Sequence, residues 1–233
     1  MQTNHLIPLA RRLLLLPLDD THPDLWLWEH SERVMQLAPR IAALPDVSDR
    51  QVDPEVLAAA ALFHDAGWAL EVQQGRVARW QVLTRPTNDI QRELGAAMLL
   101  DEAERLLPEP IRRLAADAIR QCNDRRTTLP EARILADAEA LDELGTLYVL
   151  RQFRLYQGEA RPLQQIIDTW QRQREYRYWD VRLTTGFHFA PVRELARQRL
   201  RAVDAFMTTL GSDLHGDDLA QLAKAPDARA AGD

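Results

Sequence analysis

The chain has 233 residues, 46% of them apolar, enough to bury a sizeable core, and its one cysteine, Cys122, excludes an intramolecular disulfide and a cysteine-based zinc site. The formal net charge is −6, with Lys224 the only lysine among 29 basic residues. That balance argues against sequence-independent binding to nucleic acid or anionic lipid and leaves small anionic substrates open.

The apolar run from Leu13 to Leu18 is too short for a secretory segment and ends in Asp19 and Asp20. No other apolar stretch approaches the roughly eighteen residues that a membrane span needs, so a cytoplasmic protein is expected. Apolar residues recur at spacings of three and four, while alternating strand patterns are nearly absent, which predicts an all-α fold. A first helix is expected over 5–16. A second is expected over 23–43, with Leu27, His30, Val34, Leu37 and Ile41 along one stripe and Pro45 beyond its end.

The third helix, "PEVLAAAALFHD", has Asp53 as cap, Pro54 at the first helical position and Glu55 at the positive end of the dipole. Gly67 is read as a left-handed cap that places His64 and Asp65 in the final turn. An irregular loop with a short ribbon is expected over 68–87, turning at Gly75 and broken at Pro86. Further helices are predicted over 88–107, 109–122, 130–156, 161–179 and 190–210. The final "KAPDARAAGD" reads as a disordered tail. The expected organisation is one helical domain over 1–212, with its core at about 22–160, followed by a terminal helix and tail over 213–233.

A histidine and an aspartate arriving at the end of a buried apolar helix need partners. His30, on the apolar side of the preceding helix, is one candidate; read alone, it is also explained as a core histidine bonded to a backbone carbonyl. Asp137, within "RILADAEALDELG", follows Ile134, Leu135 and Ala136 on a long apolar helix. A buried carboxylate there must protonate or find a metal, an arginine or a histidine. Two histidines and two aspartates on three helices would suit a divalent ion such as Mn, Fe, Co, Ni, Zn or Mg.

The ordered set His30, His64-Asp65, Asp137 resembles the H...HD...D signature of the HD-domain metal-dependent phosphohydrolases, an all-helical superfamily. "LAAAALFHDAGW" resembles the family's apolar helix ending in HDxG, "ELGAAMLLDEA" its following Gly-Ala helix, and "ILADAEALDELG" its last ligand motif. The segment "LTTGFHFAPVRELARQRLRAVDAFMTTL" is similar to a carboxy-terminal helix of a bacterial subset of small HD hydrolases. The resemblance implies a compact helical bundle with additional carboxy-terminal helices. It also implies His30, His64, Asp65 and Asp137 as ligands of one divalent metal, with Asp65 also accepting a hydrogen bond from the attacking water.

The chain departs from the family pattern at three places. Gln91 and Gln121-Cys122 stand where two-metal members place extra histidines, and Trp68 stands where many members have a lysine. Arg33 and Arg133 share helical faces with His30 and Asp137, and Arg85 and Asn88 lie in or beside the loop after the HD turn. These four are candidate substrate contacts; a solvated or ion-paired role is the plainer reading of each. "YRYWD", from Tyr176 to Asp180, is either core packing or a dimer surface. The expected function is hydrolysis of a small phosphorylated molecule, a phosphomonoester or nucleotide, by metal-activated water. The alternatives are a non-catalytic metal- or ligand-binding module and a di-iron oxygenase.

Overall fold

The structure, a computed structural model, describes residues 5–19 and 22–224. Thirteen α-helices follow one another among these residues: α1 (Leu6–Leu14), α2 (Trp26–Ala42), α3 (Pro45–Ser48), α4 (Pro54–Phe63), α5 (Ala66–Gln73), α6 (Asp89–Glu102), α7 (Glu109–Gln121), α8 (Pro130–Asp142), α9 (Thr146–Gly158), α10 (Gln164–Glu175), α11 (Tyr178–Thr185), α12 (Ala190–His215) and α13 (Asp217–Lys224). Leu16–Pro17 pairs antiparallel with Pro23–Asp24 in a two-residue bridge. The all-α expectation is met, and no helix among the described residues is long and apolar enough to cross a membrane.

Helix α4 organises the fold. Asp53 caps it by accepting the amide N–H groups of Glu55 and Val56, at 2.8 and 3.2 Å, and Pro54 takes the first helical position. Seven of its ten residues are buried, a pattern that suits a helix enclosed by others. Helices α2, α6, α7 and α8 pack around it, and Ala59, Ala60 and Ala61 let the backbones approach. Continuous apolar packing runs from Leu6 to Met207. The carboxy-terminal half adds α12, whose stripe of Val192, Ala196, Leu200, Val203 and Met207 repeats at helical spacing and packs on α8 to α11.

Three expectations are corrected. Gly67 is not a left-handed cap: α4 stops at Phe63 and α5 begins at Ala66, so a helix occupies much of the expected loop. No ribbon forms within 68–87, where α5 is followed by a 3-10 turn at Arg79–Gln81; the small ribbon is the one near the amino terminus. The helix expected over 130–156 is two helices, broken at Gly145, whose φ of 85° is a backbone angle that glycine tolerates. The expected disordered tail lies, over 225–233, outside the described residues.

Candidate metal centre

His64 and Asp65 are the two residues between α4 and α5. His64 keeps helical angles, while Asp65 lies near φ −108°, ψ 10° and turns the chain. Two glycines bring α6 against this turn. A Cβ on Gly67 would stand 2.2 Å from the Gln91 carbonyl oxygen, and one on Gly95 would stand 2.7 Å from that of Phe63. Close approach of backbones, rather than a special dihedral angle, is what both positions require.

The turn meets His30, which projects from the buried stripe of α2. His30 Nε2 lies 3.1 Å from His64 Nε2 and 3.2 Å from Asp65 Oδ2, and His64 Nε2 lies 3.5 Å from the same oxygen. All three side chains are at most 1% exposed. Each imidazole is fixed by its other nitrogen. His64 Nδ1 donates to the Ala61 carbonyl at 2.8 Å. His30 Nδ1 has two neighbours, Asp142 Oδ2 at 2.7 Å and Arg151 Nη2 at 3.0 Å. The carboxylate is an acceptor only and is the nearer, which makes Nδ1 the donor.

With protons on both Nδ1 atoms, two Nε2 lone pairs and a carboxylate oxygen face one another, and Asp65 Oδ2 accepts no hydrogen bond. Such convergence of buried lone pairs calls for a cation. Separations of 3.1 to 3.5 Å are those of neighbouring ligand atoms around one ion with bonds of about 2.1 Å, and the mixed nitrogen and oxygen set suits a divalent transition metal. His30, His64 and Asp65 therefore form a group able to hold a metal ion.

Surrounding groups set the charge of each member. Burial depresses His64, which keeps its Nε2 lone pair free. Burial alone would depress His30 as well, but the adjoining Asp142 and Asp65 carboxylates outweigh it and hold His30 above its ordinary value. Burial alone would raise Asp65, yet His64, Arg92 and His30 together hold it well below the usual carboxylate range.

Asp142 is anchored by Arg33, whose Nε and Nη2 donate at 2.7 and 3.1 Å, and by Arg151 at 3.2 Å. Against the opposing effect of burial, His30 and Arg33 keep Asp142 ionised far below its ordinary value. On the other side, Asp65 Oδ1 accepts from Thr87 Oγ1 at 2.8 Å and from Arg92 Nη1 at 2.7 Å. The Trp68 indole N–H donates to the same Thr87 hydroxyl at 2.9 Å, and Arg92 Nη2 donates to Glu139 Oε1. Such outer hydrogen bonds orient metal ligands.

The structure brings His30, His64 and Asp65 together and leaves Asp137 apart. Asp137 Oδ1 and Oδ2 accept the backbone N–H groups of His188 and Phe189, at 2.7 and 3.0 Å, where α12 begins. Burial pushes Asp137 up to about 6, against those two bonds. Asp137, expected as the fourth ligand, is thus not gathered with the other three: α8 is buried on nearly every side, so an apolar neighbourhood does not say which way a side chain turns. Glu139, two residues and about 200° further round the helix, is the α8 carboxylate linked to Asp65.

The four arginine and asparagine candidates also find specific places. Arg33 serves Asp142 rather than open space. Asn88 caps α6, accepting the Gln91 N–H at 2.9 Å. Arg133 stacks over Phe189, with its guanidinium carbon 5.4 Å from the ring centroid, and donates to His188, away from the metal group. Arg85 stacks over Trp68, with its guanidinium carbon 4.7 Å from the ring centroid, and lines a cavity of about 260 Å³. Within "YRYWD", Trp179 is buried against Tyr148 and Trp170, whereas Tyr176 is 79% exposed.

Cys122 donates to the Ile119 carbonyl and lies outside the metal group, and burial pushes its thiol up to about 12. Arg92, Glu139, Asp142 and Arg151 escaped the sequence reading. Arg92 had a readable signal, because it shares an apolar stripe with Ala96 and Leu99.

Comparison with known proteins agrees with this geometry. Among curated proteins none matches the chain. Among solved structures, Bacillus subtilis YpgQ in complex with ADP is 16% identical with a TM-score of 0.58, covering 91% of this chain and 94% of its own. A predicted HD superfamily hydrolase from an uncultured Thermotogales bacterium is 20% identical with a TM-score of 0.55, covering 91% and 92%. At such identities the likeness is one of fold. The HD-domain family model matches residues 27–144, just over half of the chain and the stretch that holds His30, His64 and Asp65. The chain therefore belongs to the HD-domain family.

Proposed function

We propose that the protein is a metal-dependent hydrolase that cleaves a phosphate ester or anhydride bond of a small phosphorylated molecule. The observation that carries this reading is the convergence of His30 Nε2, His64 Nε2 and Asp65 Oδ2 on one point, with each ring's Nδ1 engaged elsewhere. A divalent ion held there supplies a lowered pKa for water and polarisation of a phosphoryl oxygen. The chain's own groups do the rest. Asp142 and the Ala61 carbonyl keep both imidazoles in the tautomer that presents Nε2. Asp65 uses Oδ2 as a ligand while Thr87 and Arg92 hold Oδ1. Its depressed pKa makes Asp65 a poor proton acceptor, so the ligand role is its main one.

Two features support a phosphorylated substrate. Arg85, Arg151 and Arg182 line the cavity of about 260 Å³, and guanidinium groups recognise phosphate oxygens well. Tyr148 and Trp179 form part of the same wall, which suits a flat ring such as a nucleobase. The cavity shares Pro86, Glu143 and Arg182 with a smaller one, of about 100 Å³, beside Thr87 and Glu139. One structural relative was solved with ADP, in accord with a nucleotide here.

The test is turnover of p-nitrophenyl phosphate and of nucleoside mono-, di- and triphosphates with added Mn or Co. Turnover is expected in the wild type and lost in His64→Ala and Asp65→Ala. Metal binding without turnover across the panel would favour the non-catalytic binding module instead.

A further inference from the structure

The proposed hydrolysis uses Arg92 only to hold Asp65 Oδ1 and gives no role to the rest of the buried ion-pair chain on the far side of Asp65. Arg92 is 1% exposed and points inward from α6. Its Nη1 donates to Asp65 Oδ1 at 2.7 Å and to the His64 carbonyl at 3.1 Å, while its Nη2 donates to Glu139 Oε1. Asp65 thus turns one oxygen towards the two imidazoles and the other towards a guanidinium, and a second carboxylate, from α8, binds the other terminal nitrogen of that guanidinium. The smaller cavity, lined by Thr87, Cys122 and Glu139 among others, adjoins this pair.

Charge and shape here are those of a cation site already filled by protein. A guanidinium has donors only and stays protonated under all ordinary conditions. Placed between two carboxylates, it offsets one of their two negative charges and occupies the space between them. If it were cut back, Asp65 Oδ1, Glu139 and the Thr87 hydroxyl would remain around an enlarged cavity. Hard oxygen donors of that kind, with two negative charges, suit a divalent ion.

We propose that Arg92 acts as a built-in second cation: it bridges Asp65 and Glu139 where a second metal ion would otherwise sit, and so limits the centre to one ion. The inference rests on reading His30, His64 and Asp65 as a metal centre, and adds the residue that sets how many ions the centre takes. Arg92 is a positioning residue in this account, holding Asp65 Oδ1 so that Oδ2 alone faces the metal.

The experiment counts manganese per chain in the full-length protein after saturation with Mn(II) and removal of free metal. The expected counts are one in the wild type, one in Arg92→Lys, two in Arg92→Ala and one again in Arg92→Ala/Glu139→Ala. In parallel, electron paramagnetic resonance of the wild type is expected to show isolated Mn(II) at every loading, and Arg92→Ala a spin-coupled pair. One ion in folded Arg92→Ala overturns the proposal and leaves the single-ion centre standing. No ion in the wild type overturns both. Should Arg92→Ala fail to fold, the wild-type spectra still decide, because a spin-coupled pair at high loading contradicts a site closed by Arg92.

Discussion

Trp68 is joined to Asp65 through a single hydroxyl: the indole N–H donates to Thr87 Oγ1, which donates in turn to Asp65 Oδ1. Trp68 is fully buried, so the position that many HD-domain relatives give to a lysine serves here as support for a ligand. In Trp68→Phe, which keeps the ring and removes the donor, stability should fall by about 1 kcal/mol. Metal affinity should fall by about tenfold as Thr87 loses its anchor. Urea unfolding and metal titration measure the two effects, and unchanged affinity would place the relay outside the metal's influence.

Asp142 holds His30 by Nδ1 and receives both Arg33 and Arg151. Asp142→Asn should therefore act twice. Two guanidinium groups lose their anionic partner at a site 1% exposed, and breaking a buried pair from one side costs about 3 kcal/mol or more. His30 loses the acceptor that fixes its tautomer, for a loss of about tenfold to a hundredfold in metal affinity. Chemical denaturation with and without chelator separates these effects, because only the second disappears when metal is absent.

Asp137 supplies the opposite expectation. Its carboxylate receives two N–H groups just before α12 begins, so Asp137→Ala should cost about 1 to 3 kcal/mol, the usual range when a buried donor is left unpaired. The metal content should stay that of the wild type. Loss of metal in a folded Asp137→Ala protein would restore this aspartate to the ligand set.

How far the sequence exposed these relationships depended on whether the information was local. The start of α4 was legible because Asp53 and Pro54 act within one helical turn. His30, His64 and Asp65 were legible because each breaks an apolar pattern at a helix face or end. Gly67 was misread because its reason lies across space, in the Gln91 carbonyl that a Cβ would strike. The direction of Asp137 was not legible because α8 is enclosed, and hydrophobic neighbours carry no sense of direction in an enclosed helix. Glu139 and Arg151 are ordinary charged residues in sequence, and only burial shows that each needs a partner; Arg92 alone carried a signal, its place on the stripe of Ala96 and Leu99.

His188 should make stability depend on pH. Burial lowers it to about 4, helped by Arg125, Arg133 and Arg50 and opposed by Asp124, and Arg133 Nε donates to its Nδ1 at 3.3 Å, which requires the neutral ring. A histidine whose folded pKa lies below the unfolded value of about 6.5 stabilises the fold when neutral. That contribution is complete above about pH 6.5 and is lost as pH falls towards 4. Urea midpoints for the wild type should drop across this window, and in His188→Gln the drop should be smaller. Equal drops would assign the acid sensitivity to other groups.

The metal content of the purified protein tests the central claim most directly. After supplementation with Mn or Co at neutral pH, elemental analysis should find one ion per chain in the wild type and none in His64→Ala, whose ring supplies one of the three converging lone pairs. No ion in the wild type, or the same content in both proteins, would contradict the assignment of His30, His64 and Asp65 as the metal centre.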